Sequence, residues 1–404
     1  MPRTGVIYVM NEAAKSGYTP DSTSWANLGQ GAPETGPLPD GADRVRTIDL
    51  GDEHEYAPVG GLDGLREAVA ALYNARYRQG KASQYTAENV AICAGGRMGL
   101  TRVVSTLGRT HLGHFLPDYT AYEELLSVFG TFVPIPILLD PDRQYAFSSA
   151  QLREEILGRG LGALLLSNPC NPTGKLLHGE SLRDWVQQCT ELQATLIVDE
   201  FYSHYIYAGD TLTASAAAYV EDVDADPVVI LDGLTKNWRY PGWRVSWTVG
   251  PKAIIEAVTS AGSFIDGGCA RPMQLAAIPL VERSIADREA RSIQATFRAK
   301  RRVLLEGLES MGVRVDVAPQ GGFYCWGELS RLPPALQSGM DFFRKALEYD
   351  VICVPGEFFD INPGHRRSGR PSRFRSYVRF SFGPSMEVVE RGLAGLKRMI
   401  QDAR

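Results

Sequence analysis

The chain has 404 residues, a formal net charge of −5 and a hydrophobic content of 44%. This length allows two domains with separate cores, and the acidic balance argues against nucleic acid or an anionic membrane as a partner, since both need a clustered positive field. No apolar run approaches the length of a membrane span, and the first residues become charged too early for a signal peptide, so we expect a cytoplasmic protein.

The first 45 residues are rich in glycine, proline and threonine. This composition predicts an extended arm, part of which joins a small domain.

Beyond the arm, strand-like apolar runs alternate with amphipathic segments such as residues 179–192. The clearest runs cover residues 90–96, 162–169, 194–200 and 227–233. Such alternation is typical of βα units around a mostly parallel sheet, and each run ends in polar residues or glycine, where open α/β sheets bind ligands.

Long helical periodicity over residues 286–311 predicts a helix that leads into a second domain. We therefore predict an α/β fold with a large domain built on a mostly parallel sheet and a smaller α+β domain. The predicted division is an arm at 1–45, a large domain at 46–287 and a small domain at 288–404.

The six cysteines are far apart and form no C-x-x-C pair, and the six histidines are scattered along the chain. We expect free thiols and no metal site.

The segment DGLTKNWRYPGWR, residues 232–244, places Lys236 in a stretch rich in tryptophan and tyrosine. A lysine in such surroundings either extends to solvent or takes part in chemistry. Schiff-base enzymes need a desolvated lysine, an anion site for the cofactor's phosphate and a carboxylate that keeps a ring nitrogen protonated. Asp199 ends an apolar run, and a carboxylate at that position implies a cationic partner.

Several segments, in this order along the chain, resemble those of the class I/II aminotransferases, which are pyridoxal-phosphate enzymes of fold type I. The resemblance covers essentially the whole chain and rests on NLGQGAP (27–33), EYAPVGGLDGLREAVA (55–70), AGGRMGL (94–100), PDYTAY (117–122), SNPCNPTG (167–174), LIVDEFY (196–202), DGLTKNWRYPGWR (232–244) and YVRFSFG (377–383). The SNPCNPTG turn is also a plausible place for a cis X-Pro bond.

The resemblance implies a role for each matching residue. Lys236 would bind the cofactor's aldehyde carbon as a Schiff base and move protons, Asp199 would meet the ring nitrogen, and Tyr202 would bond the ring oxygen. The other implied cofactor contacts are Gly95, Gly96, Arg97, Tyr119, Asn171, Thr235, Arg244 and, from the neighbouring subunit of a homodimer, Tyr56. The implied substrate contacts are Gly31, Asn171 and Arg379, whose guanidinium would bind the α-carboxylate as a fork.

The sequence departs from the family pattern near the phosphate. Many relatives have a serine three residues before the lysine, where this chain has Gly233. Arg97 stands where relatives usually have a smaller or neutral residue, and we hypothesise that its charge replaces the missing hydrogen bond.

The resemblance implies an aminotransferase that moves an amino group between an L-amino acid and a 2-oxo acid by ping-pong chemistry. A β- or γ-eliminating lyase and a decarboxylating or cyclising enzyme share the scaffold and remain alternatives. A non-catalytic DNA-binding regulator is disfavoured, because Lys236 is retained and no basic helix-turn-helix segment precedes this region.

For the substrate, we expect an amino acid other than aspartate. Relatives specific for dicarboxylates use a second arginine, and the register of Arg271 does not clearly match it. Four residues in the arm and nearby loops suit a substrate with a neutral, aromatic or polar side chain. They are Tyr18, Trp25, His54 and Trp238.

Overall fold

The computed structural model describes residues 5–367 and 369–404. The α-helices are α1 (Gly5–Lys15), α2 (Asp63–Tyr77), α3 (Gly96–Ser105), α4 (Tyr122–Val128), α5 (Ser149–Arg159), α6 (Gly179–Glu191), α7 (Lys252–Ile265), α8 (Arg271–Ala277), α9 (Arg283–Ser310), α10 (Gly339–Leu347) and α11 (Met386–Asp402). The strands are β1 (Ala26–Asn27), β2 (Val90–Cys93), β3 (His111–Leu116), β4 (Val133–Leu138), β5 (Leu161–Ser167), β6 (Thr195–Asp199), β7 (Val228–Gly233), β8 (Ser246–Val249), β9 (Arg314–Val315), β10 (Tyr324–Glu328), β11 (Val351–Ile352), β12 (Val354–Pro355) and β13 (Tyr377–Ser381).

A seven-stranded sheet forms the centre of the molecule, in the order β2-β8-β7-β6-β5-β3-β4. Strand β8 is antiparallel to β2 and β7, and the other neighbouring pairs are parallel. Most residues of β5 to β7 are leucine, isoleucine or valine, and these side chains are buried, as expected for the central strands of a parallel sheet. The predicted mostly parallel α/β sheet is confirmed.

All four apolar runs chosen from the sequence form strands of this sheet, as β2, β5, β6 and β7. The amphipathic segment 179–192 forms α6, and the long helical periodicity near 286–311 forms α9. The peptide bond between Asn168 and Pro169 is cis.

A second sheet, in the order β12-β13-β10-β9, contains the strand of Arg379 and lies after α9 in the chain. Strand β1 pairs in parallel with β11, so the N-terminal segment is attached to elements from the C-terminal part. The division of the chain at residues 45/46 and 287/288 stays a prediction.

The expectation of an extended arm over the first 45 residues is wrong for residues 5–15, which form α1. Val9 and Ala13 recur at helical spacing and are buried against the body of the protein. The glycine, proline and threonine of residues 17–45 dominate the composition of the first 45 residues. Overall composition therefore does not reveal this short amphipathic helix.

Within residues 5–367 and 369–404, the helices are all too short or too polar to cross a membrane. The cytoplasmic location stays a prediction.

Candidate active site

The chemistry-bearing residues converge because they follow neighbouring strands. Strands β5, β6 and β7 are adjacent and parallel, so their carboxyl ends lie at one edge of the sheet. Asn171 follows β5, Asp199 ends β6 and Lys236 follows β7. The edge of the sheet therefore gathers an amide, a carboxylate and an amine that are far apart in the sequence.

Two connected cavities open at this edge. The inner cavity, about 390 Å³, is lined by Asp199, Thr235, Arg244 and their neighbours. The outer cavity, about 640 Å³, extends from Arg379 to α1 and α4. Both cavities are lined by Arg97, Leu100, Tyr119, Asn171, Tyr202 and Lys236. The amine of Lys236 thus stands where the two spaces meet.

Lys236 has the electrostatics of a reactive amine. Its Nζ donates a hydrogen bond to the carbonyl oxygen of Gly31, which belongs to the segment crossing the outer cavity. Desolvation, followed by the nearby cations Arg379 and Arg244, lowers the pKa of Lys236 to about 7. A substantial fraction of this lysine is therefore neutral, and nucleophilic, near neutral pH.

The loop that carries Lys236 is held by the next residue, Asn237, whose role the sequence did not reveal. The amide nitrogen of Asn237 donates to Asp232 at 2.6 Å and to the Ser203 hydroxyl at 3.0 Å. The Tyr205 hydroxyl donates to the carbonyl oxygen of Lys236 at 2.9 Å. These bonds hold the lysine backbone rigidly behind the cavity, which limits the positions its side chain can reach.

Asp199 is buried at the end of β6. The hydroxyl of Tyr122 donates to its Oδ2 at 2.9 Å. Burial raises the pKa of Asp199 to about 6, while the Tyr122 hydrogen bond and the charge of Lys236 act in the opposite direction. A cation placed beside Asp199 would offset the cost of burying its charge. Tyr122 was not singled out in the sequence, although it follows Tyr119 in the same segment.

Arg379 is 1% exposed, and only some of its N–H donors have a hydrogen-bond partner among the described residues. Its Nη1 donates to the side-chain oxygen of Asn171 at 2.9 Å and its Nη2 to the carbonyl of Gly29 at 2.7 Å. Its Nε finds no hydrogen-bond partner among the described residues. A buried guanidinium with a free donor is suited to bind a small carboxylate.

Tyr324 lines the outer cavity of this site, although it was not singled out in the sequence. Its hydroxyl is 3.0 Å from that of Tyr202, and its ring centroid is 4.2 Å from the guanidinium carbon of Arg379. The pairing of β10 with β13 brings this strand beside Arg379. Only the tertiary pairing identifies the residue, because an aromatic residue in a strand is more often part of a core.

The glycine turn before α3 leaves no room for side chains. Gly95 has φ +91°, and a Cβ there would collide with the guanidinium of Arg244. A Cβ at Gly96 would lie 2.6 Å from the ring of Phe201. The backbone can therefore approach an anion closely at the N-terminus of α3, where the first N–H groups lack intrahelical acceptors.

The presence of Gly233, where many relatives have a serine, has a steric explanation. A Cβ on Gly233 would lie 2.5 Å from the Cα of Ser246 on the neighbouring strand β8. A serine would force β7 and β8 apart, so this chain cannot use a hydroxyl at that position.

Arg97 lies at the boundary between the two cavities, where its guanidinium donates to the hydroxyl of Tyr119. Its Nε and Nη2 are each 3.3 Å from that oxygen. That Arg97 replaces the missing phosphate hydrogen bond stays a prediction.

Other residues singled out in the sequence lie elsewhere. Tyr56 is 92% exposed. Arg271 pairs with Glu53, and Trp238 donates its indole N–H to the carbonyl of Leu280. The four aromatic and histidine residues that motivated the substrate expectation are absent from the described linings of both cavities. These four residues therefore do not support the expectation of a substrate other than aspartate. That expectation stays a prediction.

This chain is similar to known proteins in both sequence and fold. Residues 23–396 match the family model for "Aminotransferase class I and II". The aspartate aminotransferase of Streptomyces avermitilis is 25% identical over 362 residues, which cover 87% of this chain and 83% of the relative. The aspartate/prephenate aminotransferase of Thermus thermophilus is 26% identical over 349 residues, covering 86% and 83%. The solved aspartate aminotransferase from Thermus thermophilus with maleate superposes with a TM-score of 0.80 at 23% identity, covering 99% and 97% of the two chains.

Proposed function

The chain belongs to the class I and II aminotransferase family and is a pyridoxal-phosphate-dependent aminotransferase, and from this premise we propose which of its residues carry the reaction. The observation that supports the proposal best is the convergence of Lys236, Asp199 and Arg379 on two connected cavities. An amine, a carboxylate and a partly satisfied guanidinium are the groups that such a reaction requires.

The phosphate end of the cofactor fits the inner cavity. The hydroxyl of Thr235 is buried and finds no partner among the described residues, so it has a hydrogen bond to give. The Gly95–Gly96 turn and the guanidinium of Arg244 border the same space. We assign the phosphate to these donors, because a doubly charged anion needs several N–H and O–H groups together with a cation.

When bound, pyridoxal phosphate withdraws electrons from the α-carbon of an attached amino acid. Lys236 would provide the amine that anchors the cofactor, and the same amine would hold and move a proton at the α-carbon of the substrate. The negative charge of Asp199 would keep the ring nitrogen protonated. Asn171 and Tyr202 would donate hydrogen bonds to the ring oxygen, and Tyr119 would cover the ring.

Arg379 orients the substrate. Its Nε and Nη groups form a planar fork, which fits a carboxylate held in two parallel hydrogen bonds. With the α-carboxylate bound there, the α-amine of the substrate would face Lys236, which lines the same cavity.

The half-reaction tests this function directly. Mixing the yellow holoenzyme with an excess of single amino acids is expected to convert the lysine-bound cofactor to its aminated form and to release the matching 2-oxo acid. Absorbance measures the aminated cofactor, and chromatography measures the 2-oxo acid. Release of ammonia or of carbon dioxide in place of a 2-oxo acid would point to elimination or decarboxylation.

The covalent capture of pyridoxal phosphate by the apoprotein should depend on the charge of Lys236. Because the pKa of this lysine is lowered to about 7, its neutral form predominates above that pH. The capture rate is expected to rise as the pH increases to about 7 and then to level off. Stopped-flow absorbance between pH 5 and 10 measures it, with Nα-acetyl-lysine as the control for the cofactor's own titration. A rate that climbs steadily to pH 10 would contradict the lowered pKa.

We further propose that the protein is a homodimer in which Tyr56 completes the phosphate site of the other subunit. Tyr56 is 92% exposed and Phe264, on α7, is 77% exposed, so a second subunit that covered these rings would remove apolar area from water. The interface should bury more than about 2,000 Å², the range of obligate dimers.

Subunit hybrids test this assignment. Lys236→Ala and Tyr56→Ala homodimers should each be strongly impaired, whereas hybrids of the two contain one site with both residues intact. Mixing the two variants after mild dissociation of their dimers is therefore expected to restore activity. The rate per hybrid dimer should reach up to half of the wild-type rate. No recovery, despite hybrids detected by native mass spectrometry, would show that Tyr56 does not serve the other subunit, and a fully active monomer would overturn the dimer.

A further inference from the structure

The outer cavity continues past the groups that would hold the backbone of an amino acid. Arg379 and Lys236 lie at one end of it, and α1 and α4 form the other end. A substrate whose carboxylate rests on Arg379 and whose amine faces Lys236 must extend its side chain into the remaining space. The chemistry of that far wall therefore selects the side chain.

The far wall is mainly apolar. Helix α1 contributes Val6 and Ile7, and α4 with the residue after it contributes Leu125, Val128 and Phe129. Ile7 and Val128 are 62% and 59% exposed, so each presents uncovered apolar surface at the cavity. A substrate side chain that covers these groups removes apolar area from water, which favours binding in proportion to its size.

Besides Arg379 and Lys236, the outer cavity is lined by two charged residues of opposite sign, Arg97 at the boundary with the inner cavity and Glu124 on α4. The guanidinium of Arg97 is engaged with the Tyr119 hydroxyl, and Tyr119 and then Glu124 raise the pKa of Arg97 while burial opposes them. A second carboxylate on the substrate would have to compete for a cation that already has partners. It would also approach the negative charge of Glu124, at a cost in affinity.

We propose that the far wall of the outer cavity is a specificity site for a large apolar or aromatic amino-acid side chain, with Glu124 acting against dicarboxylates. This inference rests on the proposed function, because the position of the backbone comes from the assigned roles of Arg379 and Lys236. Ile7 and Val128 determine the size of the accepted side chain. Glu124 determines its charge.

The first test compares kcat/KM of the holoenzyme for leucine, phenylalanine, alanine and aspartate. We expect leucine or phenylalanine to exceed aspartate by at least about tenfold, a discrimination that a few apolar contacts supply. As a readout separate from chemistry, 3-phenylpropanoate is expected to inhibit competitively at a lower concentration than butanedioate. Neither compound has an amino group, so neither can react.

Variants connect the preference to the named residues. Ile7→Ser and Val128→Ser are expected to lower kcat/KM for leucine and phenylalanine by about threefold to tenfold, with alanine changed by less than about twofold. Glu124→Gln is expected to raise kcat/KM for aspartate at least fivefold without raising that for leucine. Leu157→Ser and Glu154→Gln on α5 are the matched controls, because both side chains are exposed and absent from the described lining of the cavity.

The outcomes separate this inference from the proposed function. Aspartate leading the panel, or butanedioate inhibiting more strongly than 3-phenylpropanoate, would overturn the specificity site while leaving the aminotransferase reaction intact. Unchanged specificity in both Ile7→Ser and Glu124→Gln would overturn it as well. If none of the amino acids yields a 2-oxo acid, the proposed residue roles fail together with the inference.

Discussion

Replacing Lys236 by alanine is expected to lower kcat by at least about 10⁴-fold, or about 5 kcal/mol of transition-state free energy. The amine of Lys236 lies at the junction of the two cavities, and its pKa, lowered to about 7, suits it to both nucleophilic attack and proton transfer. The variant should still bind pyridoxal phosphate without a covalent bond, because Thr235, Arg244 and the Gly95–Gly96 turn are unchanged.

Steady-state kinetics measure the loss, and equilibrium dialysis measures the retained cofactor. Lys236→Arg should be equally inactive, because a guanidinium stays protonated and cannot form the bond. Lys252→Ala is the matched control, since Lys252 pairs with Glu88 at the surface and should leave kcat within about twofold. A Lys236→Ala enzyme with normal transamination would refute the assignment of this lysine.

Replacing Asp199 by alanine or asparagine is expected to lower kcat by at least about 10³-fold, about 4 kcal/mol. The carboxylate is the charged group that faces the inner cavity from the end of β6. Without its negative charge the cofactor's ring nitrogen loses its proton, and the ring then withdraws electrons poorly from the α-carbon. Asparagine preserves the shape of the side chain, so a similar loss in both variants assigns the effect to charge.

Tyr122→Phe provides a graded comparison. The Tyr122 hydroxyl donates to Asp199 and lowers its pKa, so its removal should raise that pKa above about 6. Because a protonated ring nitrogen of the cofactor would itself stabilise the negative charge of Asp199, we expect a loss of kcat of only about tenfold or less at pH 8. Near-wild-type kcat in Asp199→Asn would mean that this residue has a structural role only.

The sequence was sufficient where function depends on local pattern. Asp199 was identifiable because it ends an apolar run, and apolar runs of that length become the buried strands of a parallel sheet, whereas the roles of Lys236 and Asn171 were implied by the family resemblance. The Gly95–Gly96 turn was identifiable because it precedes a helix and follows a strand, which is the arrangement of an anion site.

Other parts of the site depend on contacts between distant segments. Tyr324 reaches Arg379 only through the pairing of β10 with β13, and Tyr122 reaches Asp199 across 77 positions of the chain. Helix α1 is short and lies in a segment whose overall composition favours a coil, so its place at the outer cavity was not predictable. Packing against the rest of the protein, more than intrinsic propensity, stabilises such a helix.

The sequence by itself determined the α/β class, because hydrophobic periodicity is a local property, and the family, because the matching segments follow one another along the chain. The tertiary structure decided which charges are compensated and which donors stay free. Arg379 and Arg97 are both arginines beside the cavity, yet one keeps an unpartnered Nε among the described residues while the other is engaged by Tyr119. Burial and the distance to neighbouring groups set that difference, and both depend on the packing of segments far apart in the chain.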